Sequence, residues 1–203
     1  MTLLTPDGAR GIAGILLAGG YSRRFGADKL LHPFPDGTPI ALASAKRLVQ
    51  ACPWSISVLR PEQAELRRCL MDAGISVQID RAPEGGLGKC LARAIQATPE
   101  ARGWVIALAD MPFLMCSTLQ AVALALQNGS GIVVPRYLGR QGHPVGFSKE
   151  FFKELSQLQG DKGARCIIES HSSSITFLDV EDPGIHQDID TPEDLVSQRP
   201  EGA

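Results

Sequence analysis

Two glycines and three cations, closely spaced, carry the chemistry of this sequence. Gly19 and Gly20 end an apolar run from Ile12 to Ala18; Arg23, Arg24 and Lys29 follow, with Gly26 among them. Glycine lets the backbone turn tightly and bring bare N–H groups to a ligand. The cations then supply positive charge at the same place, which suits a polyphosphate. A glycine pair beside a basic loop is equally explained, on its own, as a solvated turn. The spacing is not that of a Walker loop, which needs Gly-Lys-Ser/Thr, nor of the Gly-x-Gly-x-x-Gly dinucleotide fingerprint.

Acidic groups fall where such a site needs them. The apolar run from Trp104 ends in Ala109-Asp110-Met111-Pro112. Pro112 disfavours a helical Met111 and stops the strand, which leaves Asp110 at its carboxyl end. A carboxylate facing a polyphosphate repels it unless a cation lies between. Magnesium binds through one or two carboxylates plus substrate phosphates, so Asp110 is a candidate magnesium ligand. An aspartate in a plain β-turn is the alternative. A second cluster is Asp188-Ile189-Asp190-Thr191-Pro192-Glu193-Asp194. Thr191, Pro192 and Asp194 suit the cap, first turn and reciprocal cap of a helix. Asp188 and Asp190 are not needed for that, and strand alternation points both to one side.

Two further loops stand out. Gly85-Gly86-Leu87-Gly88-Lys89-Cys90 is glycine-rich backbone ahead of a helical pattern and can approach an anion or a base. Lys89 is either a phosphate contact or an exposed lysine at the helix start. Cys90 reads as a small buried side chain, since nothing nearby would lower its pKa. Gly142-His143-Pro144-Val145 sets a histidine before a short strand, with a structural or an acceptor-facing role.

The elements that must position these residues alternate. Strands are expected at Ile12–Ala18, Ile56–Leu59, Ser76–Ile79, Trp104–Ala109 and Ile132–Val134. Shorter ones are expected at Val145–Phe147, Ile175–Leu178 and Ile185–Ile189. Helices carry Leu42, Ala45 and Val49 on one face, then Leu66, Cys69, Leu70 and Ala73, then Leu91–Ala97. Ser117-Thr-Leu-Gln120 has the form of a capping box opening a helix through Gln127. Repeated βα units predict a single Rossmann-like three-layer α/β/α domain with a mostly parallel sheet. The domain is expected to span 1–203 with its core at about 12–197, and the part after Arg136 to close over a second substrate.

Bulk numbers exclude several classes. At 203 residues, 44% hydrophobic and 21% charged, the chain is an ordinary globular protein. A formal net charge of −2 leaves no global basic field for nucleic acid. Five scattered cysteines form no Cys-x-x-Cys pair, and no basic leader or long apolar run is present. A cytoplasmic protein, with no membrane segment, is the expectation.

The string Leu17-Ala18-Gly19-Gly20-x-Ser22-x-Arg24-x-Gly26-x-Asp28-Lys29 resembles the opening signature of the MobA-like nucleotidyltransferases, which load molybdopterin with a nucleotide. Gly86-x-Gly88, the Gly-His-Pro-Val segment, Gly160 to Arg165 and Asp188 to Asp194 extend the resemblance from about Ile12 to Leu195. The resemblance implies attack by the terminal phosphate of molybdopterin on the α-phosphorus of CTP or GTP, with Mg2+ as cofactor and pyrophosphate leaving. It implies catalytic roles for Arg24, Lys29 and Asp110. Nucleotide contacts fall to Leu17, Ala18, Gly19, Gly20, Ser22, Arg23, Gly86 and Gly88. Acceptor contacts fall to His143, Arg165 and Asp188, and the metal to Asp110 and Asp190, with Asp188 the alternative ligand. Transient contact with a molybdoenzyme or its chaperone would follow. Leu-Ala-Gly-Gly is typical of the GTP branch. The C-terminal motifs are typical of the CTP branch, and their greater coverage decides for CTP. Transfer to a sugar or alcohol phosphate is one alternative, and a non-catalytic nucleotide-binding subunit another.

Overall fold

The computed structural model describes residues 10–18, 29–81, 86–161, 163–191 and 194–197. The first apolar run is buried because it forms a central strand, β1 (Arg10–Leu17), paired in parallel with β2 (Ser55–Leu59) and β4 (Ala101–Leu108). β3 (Ser76–Ile79) extends β2 in parallel. Beyond β4, the strand β7 (Val145–Ser148) runs antiparallel between β4 and β5 (Ile132–Tyr137). β5 carries the two-residue β6 (Arg140–Gln141) and pairs in parallel with β8 (Ile175–Asp179). The order β3-β2-β1-β4-β7-β5-β6, with β8 also on β5, is the mixed, mostly parallel sheet expected.

Alternation along each strand makes the layers. Ile12 and Leu16 of β1, with Val105 and Ala107 of β4, face the helices α1 (Ile40–Ala51), α2 (Ala64–Asp72) and α4 (Cys116–Gln127). Ala13 and Ile15, with Trp104 and Ile106, face α3 (Gly86–Gln96), α5 (Phe152–Leu155) and α6 (Arg165–Ser170). The fully buried Trp104 places its indole N–H on the Thr98 hydroxyl at 2.9 Å, so its one polar atom is satisfied.

Three local expectations are corrected. Helix α1 buries Ala41, Ser44, Ala45 and Leu48, a face rotated from Leu42, Ala45 and Val49. Its orientation follows Ser44, whose hydroxyl donates to the Ala109 carbonyl at 2.9 Å. Ser117 is not the cap of α4. Met115 holds that position without a side-chain cap, and the carboxylate of Asp182 accepts from the Met115 N–H at 2.9 Å instead. Residues 185–189 do not form a strand. Pro183–His186 is a short 3-10 turn, and residues 187–190 belong to no regular element. A last helix, α7, covers Asp194–Ser197.

Candidate active site

The site grows from the carboxyl ends of β1 and β4, where the sheet ladder stops and backbone carbonyls need other partners. Side chains provide them. Ser57 donates to the Leu16 carbonyl at 2.8 Å, and Gln63 to that of Ala18 at 3.4 Å. The Ala109 N–H still reaches the Leu17 carbonyl at 3.0 Å. Asp110 thus follows a fixed strand end and sits between the buried Ala109 and Met111. None of these buried polar residues carries a motif. Only their place beside the strand ends reveals them.

Lys29 comes from a 3-10 turn, Lys29–Leu31, whose Leu30 is sunk in the core. The 182–190 segment brings the third group. The Ile189 N–H donates to the Asp110 carbonyl at 2.9 Å, and the Ile189 side chain is fully buried. Asp188 and Asp190 flank it and are exposed.

These three segments meet at one ammonium. Lys29 Nζ donates to Asp110 Oδ2 and to Asp190 Oδ1, each at 3.0 Å. The lysine side chain is 13% exposed, Asp110 26% and Asp190 52%, so the cation is the most enclosed of the three. Burial pulls the Lys29 pKa down, but the charges of Asp110 and Asp190 and their hydrogen bonds outweigh it. The ammonium is held above its ordinary value. Two carboxylates around one cation leave the cluster with a net negative charge. Both oxygens lie within twice 3.0 Å of each other, with a cation already between them. A divalent metal needs the same donor chemistry and takes its remaining ligands from water and substrate oxygens, so these residues fit one. No group of three or more metal-ligating side chains occurs among the described residues.

Beside this cluster opens a cavity of about 500 Å³, lined by apolar Leu17, Leu87, Leu108 and Val134 with His143 and Arg165 at its polar edge. That volume suits a small organic ligand. His143 links cavity and cluster. Burial lowers its pKa, and the charges of Asp110 and Asp188 only partly restore it, which keeps the imidazole neutral. Its Nδ1 is enclosed without a hydrogen-bond partner. Arg165 opens α6 and points outward, 82% exposed, with Nε on Glu169 at 2.9 Å.

The glycines in the first turn of α3 have a packing role. A side chain at Gly86 would meet Gly160 and Asp161, and one at Gly88 would meet the Gly160 carbonyl at 2.8 Å. Gly86 also holds φ +69, and the Gly88 N–H already donates to the Gly160 carbonyl at 2.8 Å. Cys90 lies half-buried in α3, and burial, then Asp80, raises its pKa, which disfavours the thiolate. Gly19, Gly20, Ser22, Arg23 and Arg24 lie outside the described residues.

The profile of the MobA-like NTP transferase domain matches residues 14–175, a span that holds the β1 end, Lys29 and Asp110. The chain belongs to the MobA-like NTP transferase family. It is a nucleotidyltransferase of MobA-like type. The purine catabolism protein PucB of Bacillus subtilis is 31% identical over 90% of this chain and 93% of its own. A probable molybdenum cofactor guanylyltransferase of Mycobacterium tuberculosis H37Rv is 31% identical over 66% of each chain. The molybdenum cofactor cytidylyltransferase of Escherichia coli K12 is 27% identical over 91% of this chain and 94% of its own. Among solved structures, a Mycobacterium tuberculosis H37Rv protein in complex with manganese superposes with a TM-score of 0.77. It is 28% identical, over 93% of this MobA-like chain and all of its own. No helix among the described residues is long and apolar enough to cross a membrane.

Proposed function

We propose that this protein transfers CMP from CTP to the terminal phosphate of molybdopterin and releases pyrophosphate. The observation that carries the reading is the Lys29 ammonium set between Asp110 and Asp190 at the carboxyl ends of β1 and β4. A cation beside paired carboxylates at a strand end is what a polyphosphate and its metal require.

An acceptor phosphate oxygen attacks the α-phosphorus of the nucleotide. The new P–O bond forms as the bond to the β-phosphate oxygen breaks, and the electron pair leaves with pyrophosphate. The nucleophile is already an anion, so the protein needs no general base. Alignment and charge neutralisation supply the rate. Lys29 and Arg24 neutralise the β- and γ-phosphates and the leaving pyrophosphate. Leu17 to Gly20, Ser22, Arg23, Gly86 and Gly88 border the nucleotide. For Gly86 and Gly88 the contribution is a backbone held close to the 159–161 segment. Asp110 and Asp190 would hold Mg2+, which would supply positive charge to the reacting phosphates. Asp188 is the weaker candidate, because the ammonium contacts Asp190. His143, as a neutral imidazole, and Arg165 meet the acceptor across the cavity they share.

GMP transfer from GTP is the second reading. Leu17-Ala18-Gly19-Gly20 favours it, and the relatives carry both names. Pyrophosphate release measured with each of the four NTPs, with and without molybdopterin, tests the proposal. Release with CTP that depends on molybdopterin supports it. Release that needs a sugar or alcohol phosphate instead rejects the acceptor.

A further inference from the structure

The cation between Asp110 and Asp190 is part of the chain, and it occupies the place a metal would take. Lys29 Nζ lies 3.0 Å from one oxygen of each carboxylate. Its turn is anchored by the buried Leu30, so the ammonium is delivered to that point rather than drifting over a surface. Magnesium or manganese must draw carboxylate oxygens to about 2.0–2.2 Å, well inside the ammonium distance. A divalent ion arriving while Lys29 stays would share its donors with a positive charge a few ångströms away. The two cations therefore compete for the same pair of acids.

A polyphosphate changes that balance. It offers the ammonium several oxygens and more negative charge than the two aspartates. Lys29 can turn to it about its flexible stem, because the lysine head is a point charge with three donors. Once it has turned, both carboxylates face the metal, and phosphate oxygens complete the shell.

We propose that Lys29 closes the Asp110–Asp190 metal site in the free protein and releases it only when a nucleotide polyphosphate draws the ammonium away. Lys29 is then a loading gate as well as a phosphate contact. Metal alone binds poorly, and nucleotide and metal bind with positive coupling. The proposal rests on the reading of Asp110 and Asp190 as metal ligands given above.

Mn2+ titration followed by electron paramagnetic resonance tests it without any turnover. Wild type, Lys29→Met, Lys29→Arg and the double variant Lys29→Met/Asp110→Asn would each be titrated with Mn2+ alone. Wild type and Lys29→Met would also be titrated beside the non-hydrolysable α,β-methylene analogues of CTP and GTP. Lys29→Met keeps the apolar stem and removes the charge. It should bind Mn2+ alone about 5- to 150-fold more tightly than wild type, the ordinary range of a coupling between two sites. Lys29→Arg should stay near wild type, which separates charge from packing. An analogue should tighten Mn2+ binding to wild type more than to Lys29→Met. Mn2+ binding to Lys29→Met no tighter than to wild type would overturn the gate. The underlying reading fails differently: Lys29→Met/Asp110→Asn would then bind Mn2+ as well as Lys29→Met does. If Lys29→Met does not fold, Lys29→Gln gives the same comparison.

Discussion

The carboxylate of Asp182 accepts a hydrogen bond from the Thr118 hydroxyl at 2.6 Å across 64 residues of sequence. The same oxygen takes the Met115 N–H, and the other takes the Gly184 N–H at 2.9 Å. Asp182 is 2% exposed, so one buried side chain caps α4 and fixes the turn that leads to Asp190. Asp182→Ala should destabilise the protein by about 2–4 kcal/mol, because it strands buried donors. Thr118→Val should cost about 1–2 kcal/mol. In urea unfolding the double variant should lose less than the two single losses added. Strict additivity would show that the pair is not coupled.

Lys29→Ala should lower kcat/KM by about 2–4 kcal/mol of transition-state stabilisation, as for other preorganised charge contacts. Its fold should persist, since the turn is anchored by Leu30 rather than by the ammonium. Steady-state kinetics on folded protein, checked by circular dichroism, decide this. Near-normal turnover would remove Lys29 from the chemistry.

Three acids separate by the metal they need. Asp110→Asn should nearly abolish Mg2+-dependent turnover, and Asp190→Asn should raise the Mg2+ concentration for half-maximal rate by about tenfold or more, the scale of losing one group of a metal site. Asp188→Asn should leave that concentration near wild type, because Lys29 touches Asp190. A magnesium curve shifted by Asp188→Asn alone would exchange the two assignments.

His143 should titrate below the usual histidine value of 6.5, since burial outweighs the pull of Asp110 and Asp188. A depressed folded pKa contributes stability that is present above pH 6.5 and is lost as pH falls through the folded midpoint. Nuclear magnetic resonance of the imidazole ring, compared with His143→Gln, reads the midpoint directly. A midpoint at or above 6.5 would show a charged ring.

Gly19→Ala should lower GTP use relative to CTP by about tenfold, the scale of one methyl in a pocket. The ratio of kcat/KM values for the two nucleotides measures it. An unchanged ratio would move base selection away from residues 17–20.

Strand positions were legible because β1 and β4 are buried on both faces and leave apolar runs in the sequence at Ile12–Ala18 and Trp104–Ala109. Asp110 and Lys29 were legible because a strand end and a basic glycine-rich loop mark a phosphate site. Asp194 read correctly as a reciprocal cap. Its carboxylate accepts from the Thr191 N–H at 2.8 Å and from the Asp190 N–H at 2.9 Å. Asp182 was not legible. Asp182-Pro183-Gly184 reads locally as a turn, and only tertiary packing brings it to α4. The same distance in sequence hid the capping of Met115 and made Ser117 look like a cap. Residues 185–189 read as a strand because Ile185 and Ile189 are apolar, yet the 3-10 turn buries Ile185 and the segment after it buries Ile189 against the end of β4, without a strand.

The central claim is that the chain moves a nucleotidyl group onto a phosphorylated acceptor. The most direct measurement runs two labelled reactions in parallel, with molybdopterin and Mg2+, using CTP labelled at the α-phosphorus or at the γ-phosphorus. Nucleotidyl transfer puts α-label in the acceptor product and γ-label in pyrophosphate, in equal amounts, with both lost in Asp110→Asn. Release of γ-label as inorganic phosphate, or α-label that stays in the nucleotide while the protein binds it, would rule nucleotidyl transfer out.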